Sequence, residues 1–280
     1  MDSFTSLIAT AREQFDRNEF EESAQSYMQA LKEVETDRDR AIIWAELSIN
    51  FYKMSAFDQA FDAAKNTLAY DPKYKSREEM YRIMGFSKQA SGDMDTAQKF
   101  LEKSLQIDSH SDNQHFAVFE LAKIYFRKQA YPEAGKLFNL VEDSFKKNNN
   151  DYWLSLLFFK GFIYYYQNNY VEGRKIFELL LENTKDNRRI ASGMFGLAFI
   201  SFAEKDFLKT INICESILSR DPDFFDKETL GFLTAASFYN LGRKDVFKKY
   251  YDQLMKHFPN GRYHDELKSF KEHIEPGEAS

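Results

Sequence analysis

The chain has 280 residues, 43% hydrophobic and 16% aromatic, with 28 Phe and 16 Tyr against 11 Gly and 5 Pro; so few breakers beside so much core material exclude a turn-rich sandwich and favour long helices on short loops. Its net charge of −6 is spread along the chain without a basic run or tail, which argues against nucleic-acid binding and against a polybasic membrane contact, since both need clustered cations. Cys214 is the only cysteine, so an intrachain disulfide is excluded and a cytoplasmic location is expected; the opening MDSFTSLIATAREQF does not read as a signal peptide, and no apolar run is long enough for membrane insertion.

From the first residues onward one short pattern recurs. A bulky anchor is followed four positions on by a small residue, and nine positions later by a second bulky anchor. The copies are Leu7, Ala11 and Phe20; Trp44, Ser48 and Phe57; Tyr81, Gly85 and Met94; Val118, Ala122 and Tyr131; Leu157, Gly161 and Tyr170; Met194, Ala198 and Phe207; and a degenerate Gly231, Ala235 and Lys244. The interval is 37 residues, except for 39 between the fourth and fifth copies. Such a period marks a solenoid whose stacked units share one core. It predicts a single domain over 1–274, with repeats near 4–40, 41–77, 78–114, 115–150, 151–190, 191–227 and 228–260. A polar capping helix over 261–274 and a disordered tail over 275–280 complete the expectation.

Each unit reads as two helices. In the second, Ile42, Ile43, Trp44, Leu47, Phe51 and Tyr52 follow helical periodicity, and Met54-Ser55-Ala56 makes a tight turn. A second helix begins near Phe57, carries Ala60, Phe61, Ala64 and Leu68, and stops at Asp71-Pro72, where proline biases its predecessor out of the α region. Pro222 and Pro259 take the same place in their units, and Ser76 to Glu79 reads as a capping box for the next helix. Gly92-Asp93, Asn168-Asn169 and Gly242-Arg243 read as turns. The small position is explained by helices crossing too closely for a large Cβ substituent. Second helices share the constraint at Ser23, Ala60, Ala97, Ala134, Gly173 and Thr210, and the last unit breaks it with Phe247. A seam falls at Lys147 to Asn150. One position of the second helices is small before it (Ala30, Thr67, Ser104) and large from the fourth unit on (Val141, Leu180, Ile217, Leu254), which suggests a flex point.

The pattern resembles the tetratricopeptide repeat (TPR). Trp44, Leu47, Ser48 and Phe51, then Phe57, Ala60, Ala64, Thr67 and Pro72, match its signature, as do Leu121, Ala122, Tyr125, Tyr131, Ala134 and Phe138 in the fourth unit. The resemblance implies an all-α, right-handed superhelical solenoid of helix-turn-helix repeats with a C-terminal capping helix. The period exceeds the family's usual ~34 residues, so the extra residues are expected in the second helix or the loop after it. The resemblance also implies that first helices line a concave groove. Carried over position by position, that groove is basic early, with Arg12, Lys53, Arg82, Lys123 and Arg127, against Asp16 and Glu79. From the fourth unit on it is aromatic, with Phe116, Phe119, Phe126, Phe158, Phe162, Tyr165, Phe195, Phe199, Phe202, Phe232 and Tyr239.

Helices over Tyr152 to Tyr166 and Met194 to Phe202 are apolar nearly all round, which implies burial on both sides. Three covers are open: a partner peptide or amphipathic helix, a second copy of the chain, or the solenoid itself. The leading expectation is a non-catalytic cytoplasmic scaffold or adaptor binding a protein segment, with an acidic flank preferred by the basic half. Self-assembly through the groove is the alternative. A peptide sensor like the TPR-type pheromone receptors ranks lower, because those carry an extra effector domain for which no room remains. The family's carboxylate clamp is disfavoured, since Ile8 and Arg12, Ala45 and Ile49, or Arg82 and Phe86 lack the needed Asn.

No cofactor or metal is expected. His110 and His115 fall in a polar stretch, Ser109 to Gln114, without Cys or acidic partners at ligand spacing, and His257 and His264 flank a Pro-Asn-Gly turn. Cys214 reads as buried and inert. Asp221, Asp223 and Asp226 read as helix stop and start signals. No P-loop, GxSxG, HExxH or GxGxxG motif is present.

Overall fold

The computed structural model describes residues 3–108 and 114–274. Among them the chain forms helices α1 (Ser3–Asp16), α2 (Phe20–Glu33), α3 (Asp37–Lys53), α4 (Phe57–Tyr70), α5 (Arg77–Ala90), α6 (Met94–Ile107), α7 (Gln114–Arg127) and α8 (Tyr131–Asn148). They continue with α9 (Asn150–Tyr166), α10 (Tyr170–Glu182), α11 (Asn187–Ala203), α12 (Phe207–Arg220), α13 (Lys227–Asn240), α14 (Lys244–His257) and α15 (His264–Ile274). The chain divides into two compact units, Met1–Val141 and Glu142–Ser280. The tail expected over 275–280 and His110 lie outside the described residues.

Both units obey one packing rule. From α1 to α7, and again from α9 to α14, each helix packs on the next. First helices also touch the first helix of the following repeat, α3 on α5, α9 on α11 and α11 on α13, and α15 closes on α13 and α14.

The turn inside every hairpin has the same construction. Asn18, Ser55, Gly92, Gln129, Asn168, Lys205 and Gly242 all have positive φ, between 57° and 85°. Each donates its N–H three residues back, and the next residue donates five residues back, as in Ser55 to Tyr52 O (3.0 Å) and Ala56 to Phe51 O (2.9 Å). This is the Schellman closure, which satisfies carbonyls at the helix end. Gly and Asn accept the left-handed conformation readily, whereas Ser55, Gln129 and Lys205 do so against their Cβ.

The small position does what its size suggests. Ser23 Oγ donates to the Ala11 carbonyl at 2.8 Å across the first hairpin. A Cβ on Gly173 would lie 3.2 Å from the Gly161 carbonyl oxygen. Large side chains also seat in these gaps: a Cβ on Gly85 would meet Leu101 at 2.7 Å, and one on Gly161 would meet the Phe177 ring at 2.6 Å.

Four details differ from expectation. Most second helices keep 13 or 14 residues. The extra length goes partly, as expected, into the loop after the second helix, before α5 and α13, and partly, against expectation, into 17-residue first helices at α3, α9 and α11. The seam is helical apart from Asn149, because α8 runs to 18 residues and Asn149 caps α9 by accepting from Tyr152 N. Ser76 precedes α5 without a side-chain cap hydrogen bond, so no capping box forms there. Gln114 is the buried first residue of α7, not part of a polar loop, because its Oε1 accepts from Ser104 Oγ at 3.3 Å.

Candidate partner-binding faces

In residues 1–141 the basic positions come with acids one turn or one repeat away. Arg12 pairs with Glu46 at 3.3 Å, Arg82 with Glu79 at 2.8 Å and Lys123 with Glu120 at 2.7 Å. Glu120 also accepts from Gln89. Lys53 is exposed, and exposed Arg127 reaches the Met94 sulfur at 3.8 Å. Phe119 is buried edge-on to Phe138 at 5.6 Å with Lys123 Nζ above its face, Phe126 meets Tyr131 at 5.6 Å, and Phe116 is half-buried. Burial pushes the Tyr27 hydroxyl up to about 12, with Glu46 adding to the rise.

In residues 142–280 the aromatic positions converge. Phe162 on α9 is a hub, 5% exposed, within 4.9 to 6.3 Å of Phe158, Tyr165, Tyr166, Phe177, Phe195 and Phe199. The Phe177 ring comes from α10 and lies where a Cβ on either Gly161 or Gly196 would stand, 2.6 and 2.1 Å away respectively. Edge-to-face contacts of this kind add about 0.5–1.5 kcal/mol each beyond burial. Burial pushes the Tyr165 hydroxyl up to about 12.

The ends of this face differ. Phe202 leads to Phe232 at 6.5 Å, but Phe232 is stacked flat on Tyr263 at 4.0 Å, and Tyr239 on Phe270 at 4.4 Å. The chain's own C-terminal segment thus covers the last repeat. Arg262 fastens it through an ion pair and hydrogen bond to Asp226 and a hydrogen bond to Thr229 Oγ1 at 3.2 Å, while Tyr263 OH meets the same Thr229 oxygen at 3.0 Å. At the other end a cleft of about 220 Å³ opens between α9, α10 and α11. Leu154, Phe158, Phe159 and Leu180 wall it, Ser155, Ser192 and Arg189 edge it, and Phe225 closes one side. Arg189 is held by Asp151 at 3.0 Å. Phe225 is 68% exposed, while its neighbour Phe224 is buried against Phe195 at 5.1 Å.

Sequence reasoning missed Glu46 and Glu120, which sit one position off the groove register, and the loop rings Phe224, Phe225 and Tyr263. A Phe-Phe pair just after the Asp-Pro helix stop is the one signal available for the loop. Asp226 caps α13 by accepting from Thr229 N, and Asp221 ends α12, in line with their reading as helix signals. Cys214 is buried, and burial pushes its thiol up to about 11. Among the described residues no group of three or more His, Cys, Asp or Glu side chains could hold a metal ion, and no helix is long and apolar enough to cross a membrane.

Comparison with known proteins agrees with this architecture. Residues 230–261 match the family model described as tetratricopeptide repeat. A tetratricopeptide repeat protein from Parabacteroides merdae superposes with a TM-score of 0.62 at 15% identity, covering 78% of this chain and 80% of that one. PilF of Pseudomonas aeruginosa gives 0.59 at 13% identity, with 83% and 98% covered. A chain of the APC/C hetero-tetramer Cut9–Hcn1 gives 0.59 at 15% identity, with 84% and 42% covered. The search among curated protein sequences found no match. Helical hairpins with a common turn, one of them matching the family's own model, give this chain the tetratricopeptide-repeat fold.

Proposed function

We propose that the chain is a non-catalytic protein-interaction module that seats a segment of a partner on the aromatic face of residues 142–280. The 220 Å³ cleft beside Phe225 carries this reading, because that face is open there and a large apolar ring stands in water. Its walls suit one large apolar anchor of a peptide or amphipathic helix. Full burial of such an anchor is worth about 1.5–3 kcal/mol. Arg12, Arg82 and Lys123 contribute little attraction for an acidic flank, since each is already paired, while Lys53 and Arg127 stay exposed. Lone, buried Cys214 supports a reducing cytoplasm as the working location. The Cut9–Hcn1 hetero-tetramer supports a protein partner as the class of ligand for this fold.

Selection of random peptides on phage against the full chain tests the reading. Enriched peptides should share a large apolar residue, and Phe225→Glu or Ser192→Trp should weaken their binding about tenfold or more while helical circular dichroism is unchanged. Undiminished binding by both variants would overturn the assignment. A mass that rises with concentration in light scattering, and falls to the monomer in Phe225→Glu, would assign the cleft to a second copy instead.

A further inference from the structure

A second cleft, of about 200 Å³, lies between the first two turns of α14 and the last turn of α15. Its floor is Phe247, which is buried, with Tyr251 and Ile274 beside it. Among the described residues its rim carries Lys244 and Lys271, with Lys248 beside them, and the acid Asp245, which pairs with Arg243 at 3.6 Å. Lys271 Nζ stands 5.0 Å over the Tyr251 ring, so its charge is held at the mouth. This basic rim belongs to a chain whose net charge is −6. It is distinct from the cleft beside Phe225, which α9, α10 and α11 build.

We infer that the α14–α15 cleft docks an acidic protein segment carrying one aliphatic or aromatic anchor. The apolar floor takes the anchor, and Lys244 and Lys271 take flanking carboxylates. Charge complementarity selects the acidic partner over a neutral one and speeds its encounter. The concavity favours a protruding side chain over a flat lipid surface, because only an inserted group reaches Phe247.

The test uses fluorescence anisotropy on the full chain. The probe is a labelled peptide of one Leu-Phe pair flanked by glutamates, with a control in which glutamines replace the glutamates. The acidic probe should bind at least about tenfold tighter than the control, and more weakly as salt rises. Lys244→Glu with Lys271→Glu should weaken it about tenfold or more, Ile274→Asp should weaken it with the charges intact, and Phe225→Glu should leave it unchanged. Equal binding of the two peptides, or indifference to both the lysine and Ile274 changes, overturns the inference. So does binding that appears only after residues 275–280 are deleted, which would give the cleft to the chain's own acidic segment. Binding to phosphatidylserine vesicles without binding to the peptide overturns it as well.

Discussion

Residues 1–141 and 142–280 use one repeat in two ways. In the first unit the inner position of the second helix is Ala30, Thr67 or Ser104, turning large only at Val141 where the unit ends, and short polar bonds work alongside apolar contacts: Ser104 Oγ donates to the Glu78 carbonyl at 2.6 Å and Asn50 Nδ2 to Ser23 Oγ at 2.6 Å. In the second unit the same position is Leu180, Ile217 or Leu254, and glycine makes room for the bulk, as Gly193 does for Leu180 and Gly231 for Leu254. The first-helix faces follow suit, ion-paired early in the first unit, mixed on α7, where Phe119 and Phe126 join the Lys123–Glu120 pair, and aromatic in the second unit. A repeat therefore fixes backbone geometry while leaving each unit to balance volume and charge in its own way.

The widest gap between the units should come from the Phe177 socket. Phe177→Ala should destabilise residues 142–280 by about 3–5 kcal/mol. Gly196→Ala, whose Cβ would stand 2.1 Å from that ring, should cost about 1–3 kcal/mol or more. Adding Phe177→Leu to Gly196→Ala should recover part of the loss. Urea melts followed at Trp153, with Trp44 reporting on the other unit, read the two separately. Equal shifts at both tryptophans would break the comparison.

Alkaline pH separates them next. A buried acid whose folded pKa lies above its unfolded one stabilises the fold below the unfolded value and loses that contribution as pH climbs to the folded one. Cys214 rises from 9 to about 11, so residues 142–280 should begin to weaken above pH 9 and lose roughly 2–3 kcal/mol by full titration. Tyr27 rises from 10 to about 12, so residues 1–141 should hold until pH 10. Cys214→Ala should flatten the decline between pH 9 and 11 at Trp153 alone.

A smaller effect belongs to the ion pairs. Glu120→Gln leaves Lys123 and Gln89 without their charged partner and should cost residues 1–141 about 1–2 kcal/mol, with little change at Trp153. The smallest effects should be gains. Lys205→Gly and Ser55→Gly relieve left-handed conformations at φ 64° and 59° and should each stabilise by about 0.5–1 kcal/mol, one unit each, read as a shift in urea midpoint.

The hairpins were legible because anchors, small positions and Asp-Pro stops are local signals. Ser55 and Gly92 stood out as turn residues, whereas Gln129 and Lys205 adopt the same conformation with no turn-forming side chain, since the flanking helices impose it. The aromatic register follows once the family resemblance is carried over position by position. What covers those rings does not, because Tyr263 and Phe270 reach Phe232 and Tyr239 from beyond the last repeat, and Phe224 reaches Phe195 from a loop. Such partners are chosen by tertiary packing, which leaves no period to follow.

The Tyr263 and Phe270 stacks also bear on how this array can be resized. A hairpin spliced in ahead of Lys227 keeps the stopper and its socket together and leaves a properly finished edge. One grafted behind Phe258 must first evict two rings and unfasten Arg262, so engineered lengthening should succeed upstream and fail downstream.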